Sequence, residues 1–137
     1  MINITRINHT AINTASNADA MKAYYTEHLN VNTVKRDIPE EFADLVPGFW
    51  MQFSNGQVHV IQNADRDSSL ASEGGINPMG PHIAFYVDDI NAAESYLEQQ
   101  GLPVQKLDDM ANPMAKIIFT RDPAGNVLEF QQDPEFV

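Results

Sequence analysis

The chain contains no cysteine. Disulfides, thiolate metal sites and cysteine nucleophiles are therefore excluded, and any bound metal must be held by imidazole, carboxylate or carbonyl groups. Basic residues are scarce as well: 8 Lys and Arg stand against 19 Asp and Glu, for a formal charge of −11. Nucleic acid binding needs clustered cations to neutralise phosphates, so no nucleic-acid partner is expected. Strongly anionic substrates are disfavoured too, unless Arg6, Lys35, Arg36, Lys116 or Arg121 converges on the site. No apolar run approaches the roughly 20 residues that span a bilayer, and the opening MINITRINHT lacks the charged-then-apolar layout of an export signal. No membrane partner is expected, and the expected location is the cytoplasm. Nucleophile elbows, P-loops and dinucleotide-binding glycine patterns are absent, so no organic cofactor is expected.

What remains is enough for one compact unit: 137 residues, 43% of them hydrophobic. Asn3 to Asn13 reads as a strand with Ile7, His9, Ala11 and Asn13 on one face and Asn8, Thr10 and Ile12 on the other. A cap at Ser16 and helical spacing of Met21, Tyr24, Tyr25, His28 and Leu29 predict a helix over 17–29. His28, late in that helix, reads as a structural residue favoured by the helix dipole. Thr33 to Arg36 reads as a short strand, and the segment from Pro39 to Pro47 as a long acidic connection. Phe49 to Phe53 and Gln57 to Gln62 should pair across the turn Asn55-Gly56. One alternating subset of Phe49, Trp50, Met51 and Phe53 either lines a pocket or packs the core. The polar stretch 63–80 reads as a mobile linker that could act as a lid. Beyond it come a strand at 81–87, a helix capped by Asp88 or Asp89 and stopped by Gly101, and a short strand at 104–107. A second hairpin follows, 115–121 with 127–131.

The second half thus repeats the first. The phrase INHTAINTASNADAMKAYYTEHLNV matches PHIAFYVDDINAAESYLEQQGLPV as histidine-bearing strand, cap and helix, and FWMQFSNGQVHVIQ matches KIIFTRDPAGNVLEFQQ as two hairpins. The domain reading is one unit, with module 1 at about 1–62, a linker at about 63–80 and module 2 at about 81–137. Each module has one polar intrusion in its first strand, His9 or His82, and one in its last, His59 or Glu129. The two pairs are separated by nearly equal lengths of chain. Pseudo-twofold pairing of the modules would bring all four together. A carboxylate flanked by Leu128 and Phe130 is costly to bury unless something positive faces it, and a divalent cation answers that need. The expected metal ligands are therefore His9, His59, His82 and Glu129, with His59 alternatively a neighbour of the ligands or a substrate contact. Imidazole nitrogen with carboxylate oxygen suits one divalent ion: zinc, nickel, cobalt, manganese or iron(II).

Over essentially its whole length the chain resembles the vicinal oxygen chelate superfamily, which contains glyoxalase I, extradiol dioxygenases, methylmalonyl-CoA epimerase and the fosfomycin and bleomycin resistance proteins. The phrases INHTAI, AYYTEHLNV, FWMQFSNGQVHVIQ, GPHIAFYVDDINAAESYL and IFTRDPAGNVLEF carry the resemblance. It implies an α+β fold, two tandem βαβββ modules forming a curved eight-stranded mixed sheet around a metal-binding cavity. By the same resemblance His9, His82 and Glu129 fall where the family places three metal ligands, and His59 falls where glyoxalase I carries a glutamate. The implied activity is a glyoxalase-like, metal-dependent lyase or isomerase reaction on a small substrate with vicinal oxygens, through a metal-stabilised enediolate. Glu129 and His59 would be the catalytic groups. An iron(II) ring-cleaving dioxygenase and a non-catalytic small-molecule binding or resistance protein are the alternatives. The resemblance also implies a homodimer.

Overall fold

Two antiparallel strands carry the centre of the architecture. In the computed structural model, which describes residues 1–63, 75–107 and 116–136, β1 (Ile4–Thr14) pairs with β5 (His82–Val87). On the outer side of β1 lie β4 (Gly56–Gln62), parallel to it, then β3 (Gly48–Phe53) and the two-residue edge strand β2 (Thr33–Val34). On the outer side of β5 lie β8 (Val127–Gln132), parallel to it, then β7 (Ile117–Arg121) and the edge strand β6 (Gln105–Lys106). The order β2-β3-β4-β1-β5-β8-β7-β6 is symmetric about the β1–β5 pair. The α+β class and the curved eight-stranded mixed sheet that the resemblance implies are the observed ones, and the sheet is not closed. Both edge strands are too short to template further pairing.

Turn chemistry sets the hairpins. Asn55-Gly56 returns β3 into β4 with Phe53 opposite Gly56. Between β7 and β8 the Asp122 carboxylate accepts the amides of Ala124 and Asn126. Along β1 the pairing with β5 shifts register twice, between Ile4 and Arg6 and between Ile7 and His9. Such shifts bend a strand and interrupt its alternation. Ile7 is consequently 59% exposed although the sequence pattern placed it on the His9 face, whereas His9 and Ala11 are buried.

Helices cover one face of the sheet. α1 (Ala18–Ala23) opens on Asn17, not Ser16. Asn17 adopts a left-handed conformation with φ 61° and accepts the amide of Ala20. The helix continues as a π-helical turn over Tyr24–His28, where the Thr26 hydroxyl donates back to the Lys22 carbonyl. Met21 and Tyr25 pack on Phe49, Met51 and Val60. α3, the pseudo-equivalent helix over Ile90–Gln99, is capped by Asp89 and lays Ile90, Ala93 and Leu97 on Val87, Ile118 and Phe130. It ends where Gly101, at φ 67°, lets Leu102 donate to the Leu97 carbonyl. No helix among the described residues is long and apolar enough to cross a membrane.

Three features depart from the sequence reading or lie beyond it. The acidic connection contains a further helix, α2 (Glu40–Leu45), which begins after Pro39 with two glutamates in its first turn. Six residues are too few to show a hydrophobic period, which is why the pattern missed it. The described end of the linker, residues 75–80, is tied down. Ile76 is buried against Ile117 and Phe119, exchanges two hydrogen bonds with the Gln105 side chain, and is followed by the buried Pro78. The lid reading falls mostly on residues 64–74, outside the described residues. Third, the buried Asp133 carboxylate accepts two bonds from Arg6 and one from the Thr5 hydroxyl, joining the start of β1 to the end of β8. The Arg6 guanidinium also lies 4.5 Å over the Tyr86 ring and holds the Asp133 carboxyl below its usual range.

Close approach makes Gly48 irreplaceable at the start of β3. A Cβ there would lie 2.2 Å from the Val60 carbonyl oxygen. Gly48→Ala is expected to destabilise the fold by about 1–3 kcal/mol, read as a lowered midpoint of chemical denaturation; an unchanged midpoint contradicts this packing.

Candidate metal centre

The sheet register delivers the expected residues to one place on the face left free by α1 and α3. Across one rung His9 on β1 pairs with Ala84 on β5, which pairs with Glu129 on β8, itself opposite Phe119 on β7. Across the neighbouring rung His82 on β5 pairs with Ala11 on β1, which pairs with His59 on β4, itself opposite Trp50 on β3. The second rung is the first turned about the pseudo-twofold axis, with His59 and Trp50 standing where Glu129 and Phe119 stand. In each rung an alanine separates two functional residues. Ala11 and Ala84 are buried at 2% and 0% exposure, and their single methyl groups leave the space above them to the side chains on either side.

Three of the four candidates converge. The Nε2 atoms of His9 and His82 are 3.3 Å apart. Glu129 Oε2 lies 3.7 Å from His9 Nε2, and Oε1 lies 3.5 Å from His82 Nε2. His9, His82 and Glu129, all buried, each offer a ligand atom within 4.8 Å of the others. His59 stands beside this group without being one of it. Its ring stacks on His9 at 3.8 Å and on Trp50 at 3.9 Å, and its Nε2 donates to Gln57 Oε1 at 2.9 Å. His28 lies elsewhere, exposed near Tyr24.

The hydrogen bonds around the imidazoles decide their tautomers. His82 Nδ1 donates to the Gly80 carbonyl at 2.8 Å, and His9 Nδ1 donates to Asn8 Oδ1 at 3.3 Å. Both Nε2 atoms therefore carry lone pairs that face each other and the Glu129 carboxylate. Two lone pairs and a carboxylate at these separations repel unless a cation lies among them. Ligands held about 2.0–2.2 Å from a common ion sit at roughly such mutual distances. The donor set of two imidazole nitrogens and a carboxylate oxygen thus fits a divalent cation.

Electrostatics of the protein alone agree. Burial pushes the Glu129 carboxyl up to about 7, against a lowering by the bond from Gln131 Nε2. Burial, followed by the neighbouring imidazoles, pulls His9 down to about 2. His59 falls to about 3 through burial, then His82 and Arg36. Burial likewise lowers His82, partly offset by the Gly80 carbonyl. Burial thus disfavours the charged form of every group in the cluster.

The cluster forms part of the wall of a cavity of about 360 Å³. Trp50, Ile61, Met79, Tyr86, Ile117 and Phe119 contribute apolar wall around it. The chain segment 36–46, including α2, closes one end with Arg36, Ile38, Phe42 and Val46. Sequence reading missed this end, and Gly80, whose carbonyl orients His82. A single clue to the first was Arg36, one of the five cations singled out; nothing in the local pattern marks a carbonyl.

A family model, Glyoxalase/Bleomycin resistance protein/Dioxygenase superfamily, matches residues 6–130. Among solved structures, a Streptomyces coelicolor methylmalonyl-CoA epimerase variant in complex with 2-nitronate-propionyl-CoA is 22% identical. The alignment covers 96% of this chain and 99% of that one, with a TM-score of 0.66. Methylmalonyl-CoA epimerase from Mycobacterium tuberculosis is 22% identical over 96% and 91% of the two chains, with a TM-score of 0.63. A selenomethionine methylmalonyl-CoA epimerase is 26% identical over 96% and 97%, with a TM-score of 0.61. No curated protein matches the chain significantly.

Two outcomes are expected. Ala84→Val, which adds bulk between His9 and Glu129, is expected to weaken zinc binding about 10–100-fold while leaving the far-ultraviolet dichroism intact, measured by competition with a chromogenic chelator. Undiminished affinity in a folded variant contradicts the rung geometry. The second concerns pH in metal-free protein. Unfolded histidines take up protons near 6.5, while the buried ones resist until far lower, so they remove stability as pH falls. Glu129 acts oppositely: between 4.5 and about 7 the fold holds a proton that the unfolded chain releases. Three imidazoles outweigh one carboxyl, so Tm should fall from about pH 7 to about pH 5, and more steeply in Glu129→Gln. A Tm that rises toward acid contradicts this balance.

Proposed function

From the premise that this chain belongs to the Glyoxalase/Bleomycin resistance protein/Dioxygenase superfamily, we propose that it is a divalent-metal-dependent enzyme of the glyoxalase-like isomerase or lyase kind. It moves a proton at a carbon beside a carbonyl in a small substrate with vicinal oxygens. The observation that carries this reading is the convergence of His9, His82 and Glu129 in the wall of the cavity. Epimerase activity, named for the structural neighbours, requires the same proton removal and return as a glyoxalase-type isomerisation.

His9, His82 and Glu129 are the residues that would hold the cation. When bound, a divalent cation supplies Lewis acidity toward substrate oxygens, lowering the cost of charge that develops on them. Glu129 provides the proton-accepting oxygen. The Gln131 amide fixes the orientation of its carboxyl plane. His59 is the second acid–base group. With Nε2–H engaged by Gln57, Nδ1 is its basic atom, and stacking between His9 and Trp50 holds the ring against rotation. The apolar side chains of Trp50, Ile61 and Phe119 limit water around the reacting carbon.

One observation favours a second reading. The converging group comprises two histidines and one carboxylate, with His59 set apart, and this ligand set suits an iron(II) ring-cleaving dioxygenase. A single experiment separates the two. Protein purified without added metal is analysed for its elements, stripped, reloaded and incubated in D2O with the methylglyoxal–thiol adduct and a methylmalonyl thioester. Metal-dependent deuterium uptake beside the carbonyl, reduced about 10²–10⁴-fold in Glu129→Gln, is the expected result; metal content of the variant separates lost base from lost ligand. Oxygen consumption with catechols, dependent on iron(II), would favour the second reading. Neither reaction with any of the metals would overturn both.

A further inference from the structure

Of the five cations that could have reached the site, one does. Arg6 is held by Asp133, Lys116 by Glu94, and Arg121 by the Gly75 carbonyl, while Lys35 is absent from the cavity wall. Arg36 lines the cavity together with His9, His59, His82 and Glu129. It is half-buried, and burial holds it below its ordinary pKa. Its charge reaches the centre, where it helps lower His59.

The guanidinium is aimed. Nη1 donates to the Val46 carbonyl at 2.8 Å and Nη2 to the Ala43 carbonyl at 3.3 Å, at the C-terminal end of α2. Nη1 would lie only 3.4 Å from a Cβ at Gly48, so the group sits close over the backbone where β3 begins. Two of its five N–H donors are used there. Among the described residues no carboxylate forms an ion pair with it. A guanidinium half withdrawn from water, with N–H donors left over on the cavity side, gains from an anionic partner, and an anion that arrives with the ligand would supply one.

We infer that Arg36 recognises a carboxylate at the far end of the substrate, which places the substrate among small acids bearing two vicinal oxygens at one end and a carboxylate at the other. This rests on the metal-chelating reading above. A planar, singly charged carboxylate matches the guanidinium fork. A phosphate dianion would bring a second charge, which the chain's charge of −11 and Asp37 in the same wall oppose. Ile38, Phe42 and Val46 add apolar surface to the same cavity wall, and lower local polarity strengthens a charge-assisted bond.

The test uses zinc-loaded protein and two probes of equal chain length, α-ketoglutarate and α-ketovalerate, which differ in the distal carboxylate. Trp50, the only tryptophan, lies in the cavity wall on His59 and reports binding by fluorescence. Wild-type protein should bind the diacid about tenfold tighter or more. The ratio should collapse toward one in Arg36→Gln and be partly restored in Arg36→Lys. A ratio near one in the wild type, or one unchanged in Arg36→Gln, overturns the inference and leaves the metal reading standing. Failure of the zinc-loaded wild type to bind either acid overturns the chelating reading and this inference with it. If Arg36→Gln does not fold, the wild-type ratio decides together with Arg36→Lys, whose single-point ammonium should retain only part of the preference; a full wild-type ratio in Arg36→Lys would count against recognition by the fork.

Discussion

A buried carboxylate facing two imidazole lone pairs is the interaction on which the rest of the molecule depends. Burial disfavours the ionised carboxylate and the imidazolium alike, and an ionised Glu129 facing the two lone pairs would be repelled by them. Nothing in that arrangement stabilises the fold by itself. It is the kind of stored cost that persists because the surrounding β ladders over-determine the positions of the three side chains, and because a cation can convert the cost into binding energy.

Alanine is as necessary to this arrangement as the ligands. His9 and Glu129 belong to strands separated by β5, and His82 and His59 to strands separated by β1, so the intervening residue in each rung must be small. Ala84 and Ala11 supply that gap. The pairing of β1 with β5 then slides the two rungs against each other by two residues, which brings His82 over His9. The bulge between Ile7 and His9 bends β1 and turns His9 inward.

The two modules differ within this symmetry. One rung carries a carboxylate, the other an imidazole stacked between Trp50 and His9. The first module carries a helix, α2, between its second and third strands. Carbonyls at its C-terminal end hold Arg36 at the cavity wall.

Much of this was legible in the chain. The internal repeat, the Asn55-Gly56 turn, the Gly101 stop and the polar intrusions at His9, His59, His82 and Glu129 are local patterns, and local patterns are what strand and helix periods record. The strand count and the identity of the candidate ligands followed from them, and the family resemblance implied the α+β class. Other features had no local signature. Helix α2 is too short for a period, the turning of Ile7 away from His9 depends on a bulge set by β5, and the Arg6–Asp133 pair joins residues at opposite ends of the chain. Whether His59 stands within the ligand group or against it was likewise open. The composition and order of residues determined which groups could hold a cation. The register between strands distant in sequence decided which of them meet, because hydrogen-bonded pairing across β1 and β5 fixes side-chain positions to within an ångström or so while sequence spacing fixes only the face on which each side chain emerges.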